Sequence, residues 1–316
     1  MGVKSYFVDN FVFENRNTIM LEVLHECPAC QTQNLQPFFN CIDHTVSNEQ
    51  FALVKCMSCS FVFTNPRPSM ADSVRYYKSE DYISHTNSSK GVLNKTYQFI
   101  RNRAIKSKMK LVESFSPVQK TILDYGCGTG EFLSYAKKSG WTSAGLELDD
   151  DARKLAKENH QLNVDHPRAL SGLPSGQFAA ITLWHVLEHV HTLDDTVEQL
   201  KRCLIADGVL IIAVPNHQSH DADVFNHHWA AYDVPRHIYH FNKASMVTLM
   251  ERHGMRLVAT KGMFFDPFYI SLLSTKYQNG YVNPIKAFYV GLKTNSLGKL
   301  NIEKHSSIIY IFKKNS

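Results

Sequence analysis

The stretch TILDYGCGTGEF, residues 121–132, places three glycines at alternate positions directly behind a short apolar run. The apolar run predicts a buried β-strand, and the residues GEFLSYAKKSG that follow predict a helix. A loop that leaves the carboxyl end of a buried strand and enters a helix is where open α/β sheets bind ligands. Glycines there let a ligand approach the main chain closely. The stretch therefore predicts a ligand-binding loop at Gly126, Gly128 and Gly130.

Two carboxylates help to define the ligand of this loop. A dinucleotide site follows the pattern G-x-G-x-x-G, whereas the sixth position here is Glu131. Asp124, just before the glycines, would repel a pyrophosphate but suits a ligand that carries an ammonium group. Glu147 closes the next predicted strand, where a carboxylate can accept both hydroxyls of a ribose. S-adenosylmethionine carries both groups, so it fits this pair of acidic positions.

Predicted strands and helices alternate from Thr121 onward. The runs TILDYG, TSAGLEL, FAAITLWHVL and GVLIIAVPN are almost continuously apolar, which is typical of a parallel sheet covered on both faces. Two later apolar stretches, residues 256–265 and 306–315, could close the sheet as a hairpin. A helix is predicted over residues 92–115, and its segment 100–110 is interpreted as a solvated face. We therefore predict an α/β fold with a doubly wound, mostly parallel sheet.

Composition limits the alternatives. The chain has 316 residues, 44% hydrophobic and 20% charged, with a net charge of +5 and no dense basic run, so charge alone does not argue for nucleic acid. No apolar run approaches the ~20 residues that span a bilayer. Residues 1–17 lack the uninterrupted apolar stretch of a signal peptide. We expect a cytoplasmic protein.

Four of the seven cysteines form two C-x-x-C pairs, Cys27 with Cys30 and Cys56 with Cys59. In the expected compartment they are metal ligands or free thiols rather than disulfides. Four thiolates at this spacing can surround zinc tetrahedrally and leave no position for a reacting water, so the predicted role is structural. Unpaired thiols or a metal cluster are the alternatives.

The segments ILDYGCGTGEF, GLELD, WHVLEHV and GVLIIAVPN together resemble the class I S-adenosylmethionine-dependent methyltransferases, in the order that this family shows. The resemblance covers residues 92–316 and implies a seven-stranded sheet whose last strand is antiparallel. It also implies the residues that hold the donor. These are Asp124, Gly126, Gly128 and Gly130 around the methionine and ribose, Glu147 on the ribose hydroxyls, and Leu148, Asp149 and Asp165 near the adenosine.

A zinc ribbon ahead of such a domain resembles the arrangement in deoxysugar C-methyltransferases and in uncharacterised bacterial methyltransferases found among polysaccharide genes. On this interpretation the zinc-ribbon module spans residues 1–70 and the methyltransferase domain spans residues 71–316. The domain would carry a lid at 216–242, over the acceptor, and an insert at 264–305.

Two histidine-rich stretches compete to supply a base for methyl transfer. In WHVLEHVH, His185, Glu188 and His189 share one face if the segment is helical. Ubiquinone-type O-methyltransferases hold a divalent metal with Glu-x-x-Glu-His at this place, but His185 replaces the first glutamate and hard cations prefer oxygen. A base role for His189, a metal site, and simple packing beneath the donor all stay open.

The second stretch is the lid, where RHIYHF is loosely similar to the segment that supplies the base in deoxysugar C-methyltransferases. This similarity places His237 at the base position, with His240 as a second acceptor contact, while solvated loop histidines are the alternative. Arg236 stands where that family has an acidic residue, and could bind a phosphate or carboxylate of the acceptor.

These features predict an enzyme that moves a methyl group from S-adenosylmethionine to an oxygen or carbon of a small molecule, namely a sugar, a glycan or a lipid-linked intermediate. A quinone- or polyketide-type O-methyltransferase is the alternative enzyme. A zinc-ribbon binding module or a silent scaffold is the alternative outside catalysis. Residues 264–293, rich in aromatics and lysine, could be core packing, a dimer face, an acceptor cap or a peripheral membrane contact.

Overall fold

The structure is a computed structural model that describes residues 20–77 and 92–315, and for residues 92–100 it describes the main chain alone. The expectation for residues 1–17 lies outside the described residues. Within these ranges, no helix combines the length and the apolar character that crossing a bilayer requires.

The described strands form three sheets of two, seven and four strands. In chain order the strands are β1 (Leu21–Glu22), β2 (Leu35–Ile42), β3 (Gln50–Cys56), β4 (Val62–Thr64), β5 (Arg67–Pro68), β6 (Thr121–Tyr125), β7 (Thr142–Leu146), β8 (Asn163–Asp165), β9 (Phe178–Trp184), β10 (Leu204–Pro215), β11 (Tyr239–His240), β12 (Met255–Gly262) and β13 (Ser307–Lys314).

The large sheet has the order β12-β13-β10-β9-β6-β7-β8. Its strands β8, β7, β6, β9 and β10 are parallel, whereas β13 runs antiparallel to both of its neighbours. The predicted seven-stranded, mostly parallel sheet is confirmed, together with its antiparallel last strand. The strand β9 ends at Trp184, earlier than the apolar run FAAITLWHVL suggests, because His185 adopts a left-handed φ of 59°.

Helices cover both faces of this sheet, as the continuous apolar strands require. Strand residues such as Ile211 and Ile212 are completely buried as a result. In chain order the α-helices are Met70–Ser73, Val92–Phe115, Glu131–Lys138, Asp150–His160, Leu193–Cys203, His220–Phe225, Lys243–Arg252, Asp266–Asn279 and Pro284–Leu300. The last two lie between β12 and β13 and pack on each other. We call residues 264–300 the inserted hairpin.

The small four-stranded sheet has the order β11-β4-β3-β2. Three of its strands come from the cysteine-containing region, but β11 belongs to the lid, where Tyr239 pairs with Phe63 and His240 with Val62. One sheet is therefore built from two segments that are far apart in the chain. The division at residue 70 stays a prediction, and the two parts are joined edge to edge.

Buried charges reinforce this junction. The Arg236 guanidinium in the lid is bound by Asp43, 3.0 Å away beside β2, and by Asp233 in the lid. It also donates to the Tyr76 carbonyl oxygen at 2.9 Å. The expectation that Arg236 binds an anionic acceptor is wrong, because its side chain is 2% exposed and these protein groups already occupy it.

Candidate functional site

The glycine loop lies at the carboxyl end of β6, between the ends of β7 and β9. Its three glycines have φ values of 78°, 55° and 86°, the left-handed region that only glycine enters without strain. A Cβ on Gly126 would lie 2.3 Å from Val186, and one on Gly130 would lie 2.6 Å from Leu162. A Cβ on Gly128 would meet nothing within 4 Å. The absence of a side chain at Gly126 and Gly130 therefore lets the loop pack closely against Val186 and Leu162. Gly128 instead faces open space that a ligand can fill.

Asp124 stands behind the loop as a buried carboxyl group, 2% exposed. Its Oδ1 accepts a hydrogen bond of 2.6 Å from the Thr182 hydroxyl on β9. Burial raises the pKa of Asp124 to about 7, although the bond from Thr182 and the charge of Lys108 oppose the rise. The group can therefore ionise near neutral pH when a cationic ligand approaches.

Glu147 crosses from the end of β7 to the glycine loop. Its Oε2 accepts from the Gly128 amide at 2.8 Å, and its Oε1 accepts from the Asp149 amide at 3.0 Å. Asp165 follows at the end of β8, where its carbonyl oxygen accepts from the Glu147 amide at 2.9 Å. Leu148, the residue after Glu147, is 57% exposed. The predicted donor residues thus gather along one edge of the sheet, and their individual roles stay predictions.

Lys108 brings a cation to this edge that motif reasoning missed. Its Nζ lies 4.4 Å from the centre of the Trp184 ring, and the charges of Asp124 and Asp266 act on it. Burial lowers its pKa. Interpreting residues 100–110 as a wholly solvated face is therefore wrong at this position. The exposed neighbours Lys106 and Lys110 do fit that interpretation, so helical spacing alone could not single out Lys108.

His185 lies between two carboxylates at the end of β9. Its Nδ1 is 3.4 Å from Glu188 and its Nε2 is 3.1 Å from Asp266, the first residue of a helix in the inserted hairpin. Burial disfavours the imidazolium, but the two carboxylates raise the pKa of His185 to about 10. The ring is therefore a cation at neutral pH, and both of its nitrogens are engaged. Asp266 is a second residue of this site that the sequence did not indicate.

Glu188, His189 and His237 form a cluster in which one donor atom of each lies within 4.8 Å of the others. The segment Leu187–His189 is a short 3-10 turn rather than an α-helix, so His185 does not join this group among the described residues. The lid closes over it, because the Ile238 amide donates to the Glu188 carbonyl oxygen at 2.9 Å.

Two carbonyl oxygens set the protonation of the histidines in this cluster. His189 Nδ1 lies 2.9 Å from the Arg236 carbonyl oxygen, and His237 Nδ1 lies 2.8 Å from the Ala231 carbonyl oxygen. A carbonyl oxygen only accepts, so each Nδ1 carries a proton and each neutral ring keeps an Nε2 lone pair. Burial lowers the pKa of His189 to about 4, which keeps its ring neutral.

Glu188 is the buried charge of the cluster. It is 0% exposed, and its Oε1 lies 3.4 Å from His185 Nδ1, although neither carboxylate oxygen accepts a hydrogen bond of ordinary geometry in the part of the chain that the structure describes. Although burial would raise it, the neighbouring histidines hold its pKa below the usual value, with His185 contributing most. A buried carboxylate with unused acceptors calls for a cation or a hydrogen-bond donor.

His240 takes no part in this cluster. Its ring is 3% exposed and packs against Tyr232, and its Nε2 lies 3.5 Å from the Thr64 hydroxyl. Burial holds the pKa of His240 well below its usual value. The structure therefore places it in the shared sheet, and its predicted acceptor contact stays a prediction without geometric support.

The four cysteines come together in a second cluster, again with their sulfurs within 4.8 Å of one another. Cys27 Sγ lies 3.6 Å from Cys59 Sγ, and Cys30 Sγ lies 3.5 Å from Cys56 Sγ. Sulfurs around a tetrahedral zinc ion with Zn–S bonds of about 2.3 Å are about 3.8 Å apart. The residue after each pair, Gln31 or Ser60, has a φ of 61°. The two turns thus have matching geometry, and the donor set fits zinc.

The order of the seven-stranded sheet and its antiparallel last strand define the class I methyltransferase fold, and the glycine loop that faces open space follows β6. Residues 96–260, just over half of the chain, match a family described as a methyltransferase domain, and the chain belongs to that family. It is an S-adenosylmethionine-dependent methyltransferase, and the alternatives outside catalysis are set aside.

Individual relatives differ in what they methylate. The chain is 25% identical to the ubiquinone biosynthesis O-methyltransferase of Actinobacillus pleuropneumoniae, over 47% of this chain and 70% of that one. It is 30% identical to the dTDP-3-amino-3,6-dideoxy-alpha-D-glucopyranose N,N-dimethyltransferase of Streptomyces fradiae, over 32% and 42% of the chains. A methyltransferase structure from Archaeoglobus fulgidus is similar at 19% identity with a TM-score of 0.46, covering 67% of this chain and 94% of that one.

Proposed function

We propose that this methyltransferase acts on an oxygen or carbon atom of a small molecule, with His237 as the general base. The observation that carries the proposal is the buried Glu188 carboxylate, which is ion-paired with His185 and lies beside His189 and His237. This cluster follows β9, and the neighbouring Val186 contacts the glycine loop. A proton removed from an acceptor can therefore be received close to the donor loop.

The residues divide the work as follows. The Ala231 carbonyl oxygen fixes the His237 ring so that Nε2 can accept a proton from the acceptor. Glu188 stabilises the imidazolium that forms, because its negative charge is buried nearby. His189 stays neutral and is the third polar side chain of the cluster. S-adenosylmethionine, when bound, supplies an already activated methyl group, so positioning and proton removal are what the protein must contribute.

The donor would lie along the edge formed by Asp124, Gly126, Gly128, Gly130, Glu147, Leu148 and Asp165. The open space at Gly128 and the carboxylate of Glu147 beside it support this placement. Lys108, beside Trp184, would face the carboxylate of the methionine part. Zinc would be held by the four cysteines in a structural role.

For the acceptor we propose a sugar, a glycan or a lipid-linked intermediate. Support comes from the resemblance of the module and the lid to deoxysugar C-methyltransferases, and from the deoxyaminosugar named for the Streptomyces fradiae relative. Labelled methyl transfer into fractionated cell extract, with label followed into nucleotide-sugar, glycan, lipid and quinone fractions, tests this. His237→Gln should lower the labelling rate at least tenfold, since a positioned base contributes about 100-fold or more.

The control for this experiment is His227→Gln, an exposed histidine of the same lid, which should leave labelling unchanged. Binding of S-adenosylhomocysteine should be unchanged in both variants, because neither residue lies at the donor loop. Full activity of His237→Gln on the labelled fraction would refute the base assignment while leaving the methyltransferase assignment intact.

A quinone- or polyketide-type O-methyltransferase is the second candidate, and the same cluster favours it in a different way. One carboxylate and two imidazole nitrogens within 4.8 Å of one another could hold a divalent cation. Loss of activity with chelator, restored by one divalent metal, together with label in the quinone fraction, would select this candidate. Activity that chelator leaves unchanged would select the metal-free base.

A further inference from the structure

The inserted hairpin turns its bulky apolar side chains outward. On the helix Pro284–Leu300, Ile285 is 84% exposed, Phe288 59%, Tyr289 64% and Leu292 43%. These residues are spaced i, i+3, i+4 and i+7, so they form one continuous stripe along the helix. A helix beside water normally presents polar side chains there. The stripe therefore suits an apolar neighbour.

The inward face of the same helix carries small or polar side chains, among them Ala287, Gly291, Thr294 and Gly298. Gly291 packs so closely that an added Cβ would lie 2.5 Å from the Phe268 ring. The usual arrangement, with large apolar groups inside and polar groups outside, is thus reversed. Close packing of the two hairpin helices on each other leaves little room for bulky side chains at Gly291.

The tip of the inserted hairpin continues the apolar surface. Tyr281 is 64% exposed and Val282 is 42% exposed, immediately before the helix that bears the stripe. At the far end of that helix Leu300 is 87% exposed. A group of exposed bulky apolar side chains on one element marks an interaction site.

The charges of the inserted hairpin have one sign toward solvent. Residues 267–300 contain four lysines and no aspartate or glutamate. The one acidic residue of the hairpin, Asp266, is engaged by His185. Lys293 follows the stripe residue Leu292 directly in sequence and is exposed, whereas the Lys286 ammonium donates to Gln278 at 2.6 Å. Apolar and aromatic groups bordered by lysines match the boundary of a lipid layer that carries negative headgroups.

We propose that the inserted hairpin docks on an anionic lipid surface. The stripe enters the boundary between headgroups and acyl chains, and the lysines lie at the headgroups. The helix lies on the bilayer rather than crossing it. A second copy of the chain fits less well, because two such surfaces would bring lysines against lysines with no acidic partner in residues 267–300.

Vesicle sedimentation of the full chain tests the proposal without methyl donor or acceptor. Lipid binding can therefore be refuted while the proposed methyl transfer is still supported. Vesicles of phosphatidylglycerol with phosphatidylcholine should bind the protein, and binding should weaken with salt, whereas pure phosphatidylcholine should bind it poorly. Phe288→Ser should weaken binding at least tenfold, from the loss of one buried aromatic side chain. Lys293→Gln should weaken it about fivefold, from the loss of one charge near the surface.

The matched control is Val118→Ser, a 98% exposed apolar residue before β6, which should bind vesicles as the wild type does. Equal thermal unfolding temperatures of the variants should exclude misfolding as the cause. Equal binding to charged and uncharged vesicles, or no binding to either, would overturn the proposal. A dimer in solution that Phe288→Ser converts to monomer, without vesicle binding by the wild type, would assign the stripe to a second copy instead.

Discussion

The glycine loop permits a matched set of alanine substitutions that separates ligand contact from backbone strain. Gly128 and Gly140 both have left-handed φ values, 55° and 82°, and an added Cβ would meet nothing within 4 Å at either position. Alanine should therefore cost about 1–2 kcal/mol of folding free energy at each. Only Gly128 lies at the donor edge, beside the Glu147 carboxylate.

Gly128→Ala should consequently fold but bind S-adenosylhomocysteine at least tenfold more weakly than Gly140→Ala, because its methyl group enters the ligand space. A tenfold loss of affinity corresponds to about 1.4 kcal/mol of binding free energy. A steric conflict between the added methyl group and the ligand costs more than this where the closely packed loop cannot move away. Gly126→Ala tests a contact with the protein rather than with the ligand. Its Cβ would lie 2.3 Å from Val186, so the variant should lose stability beyond the strain that it shares with the other two.

Calorimetric titration with S-adenosylhomocysteine gives the affinities, and chemical denaturation gives the unfolding free energies. Equal affinity of Gly128→Ala and Gly140→Ala would refute the placement of the donor against this loop. A Gly126→Ala protein as stable as Gly140→Ala would refute the inferred contact with Val186.

Three further outcomes are expected. Elemental analysis of the purified chain should find one zinc ion. Cys30→Ser should lose this ion. Cys41→Ser, which changes a buried cysteine outside the cluster, should keep it. Arg236→Met should lower the free energy of unfolding by about 3 kcal/mol, because it removes the cation from the buried Asp43 carboxylate, which keeps only its hydrogen bonds from residues 45–47. Asp124→Asn should gain stability relative to the wild type as pH rises from about 4 to about 7, since the native state then holds a proton that the unfolded chain has released.

Each of these outcomes can be contradicted directly. Zinc retained by Cys30→Ser would place the metal elsewhere. An unfolding free energy of Arg236→Met within about 1 kcal/mol of the wild type would mean that the junction tolerates the unpaired carboxylate. A stability difference between Asp124→Asn and the wild type that does not change with pH would show that this carboxyl group keeps its ordinary pKa.

The sequence alone was sufficient for the sheet and for the position of the glycine loop. Buried parallel strands are continuously apolar, and a glycine loop must follow a strand to bind its ligand, so both features are local in the chain. The two C-x-x-C pairs are local in the same sense, because a turn of fixed length brings each pair of sulfurs together. The antiparallel closing strand followed from the family resemblance.

Tertiary structure alone decided the contacts between distant segments. Asp266 meets His185 across 81 positions, and Arg236 reaches Asp43 across the shared sheet. Helical spacing grouped His185 with Glu188 and His189, and His185 does contact Glu188. The third member of the cluster with Glu188 and His189 is, however, His237 of the lid. Local periodicity determines which face of a helix or strand a residue occupies. Which remote segment packs against that face depends on the tertiary structure, and no local sequence pattern specifies it.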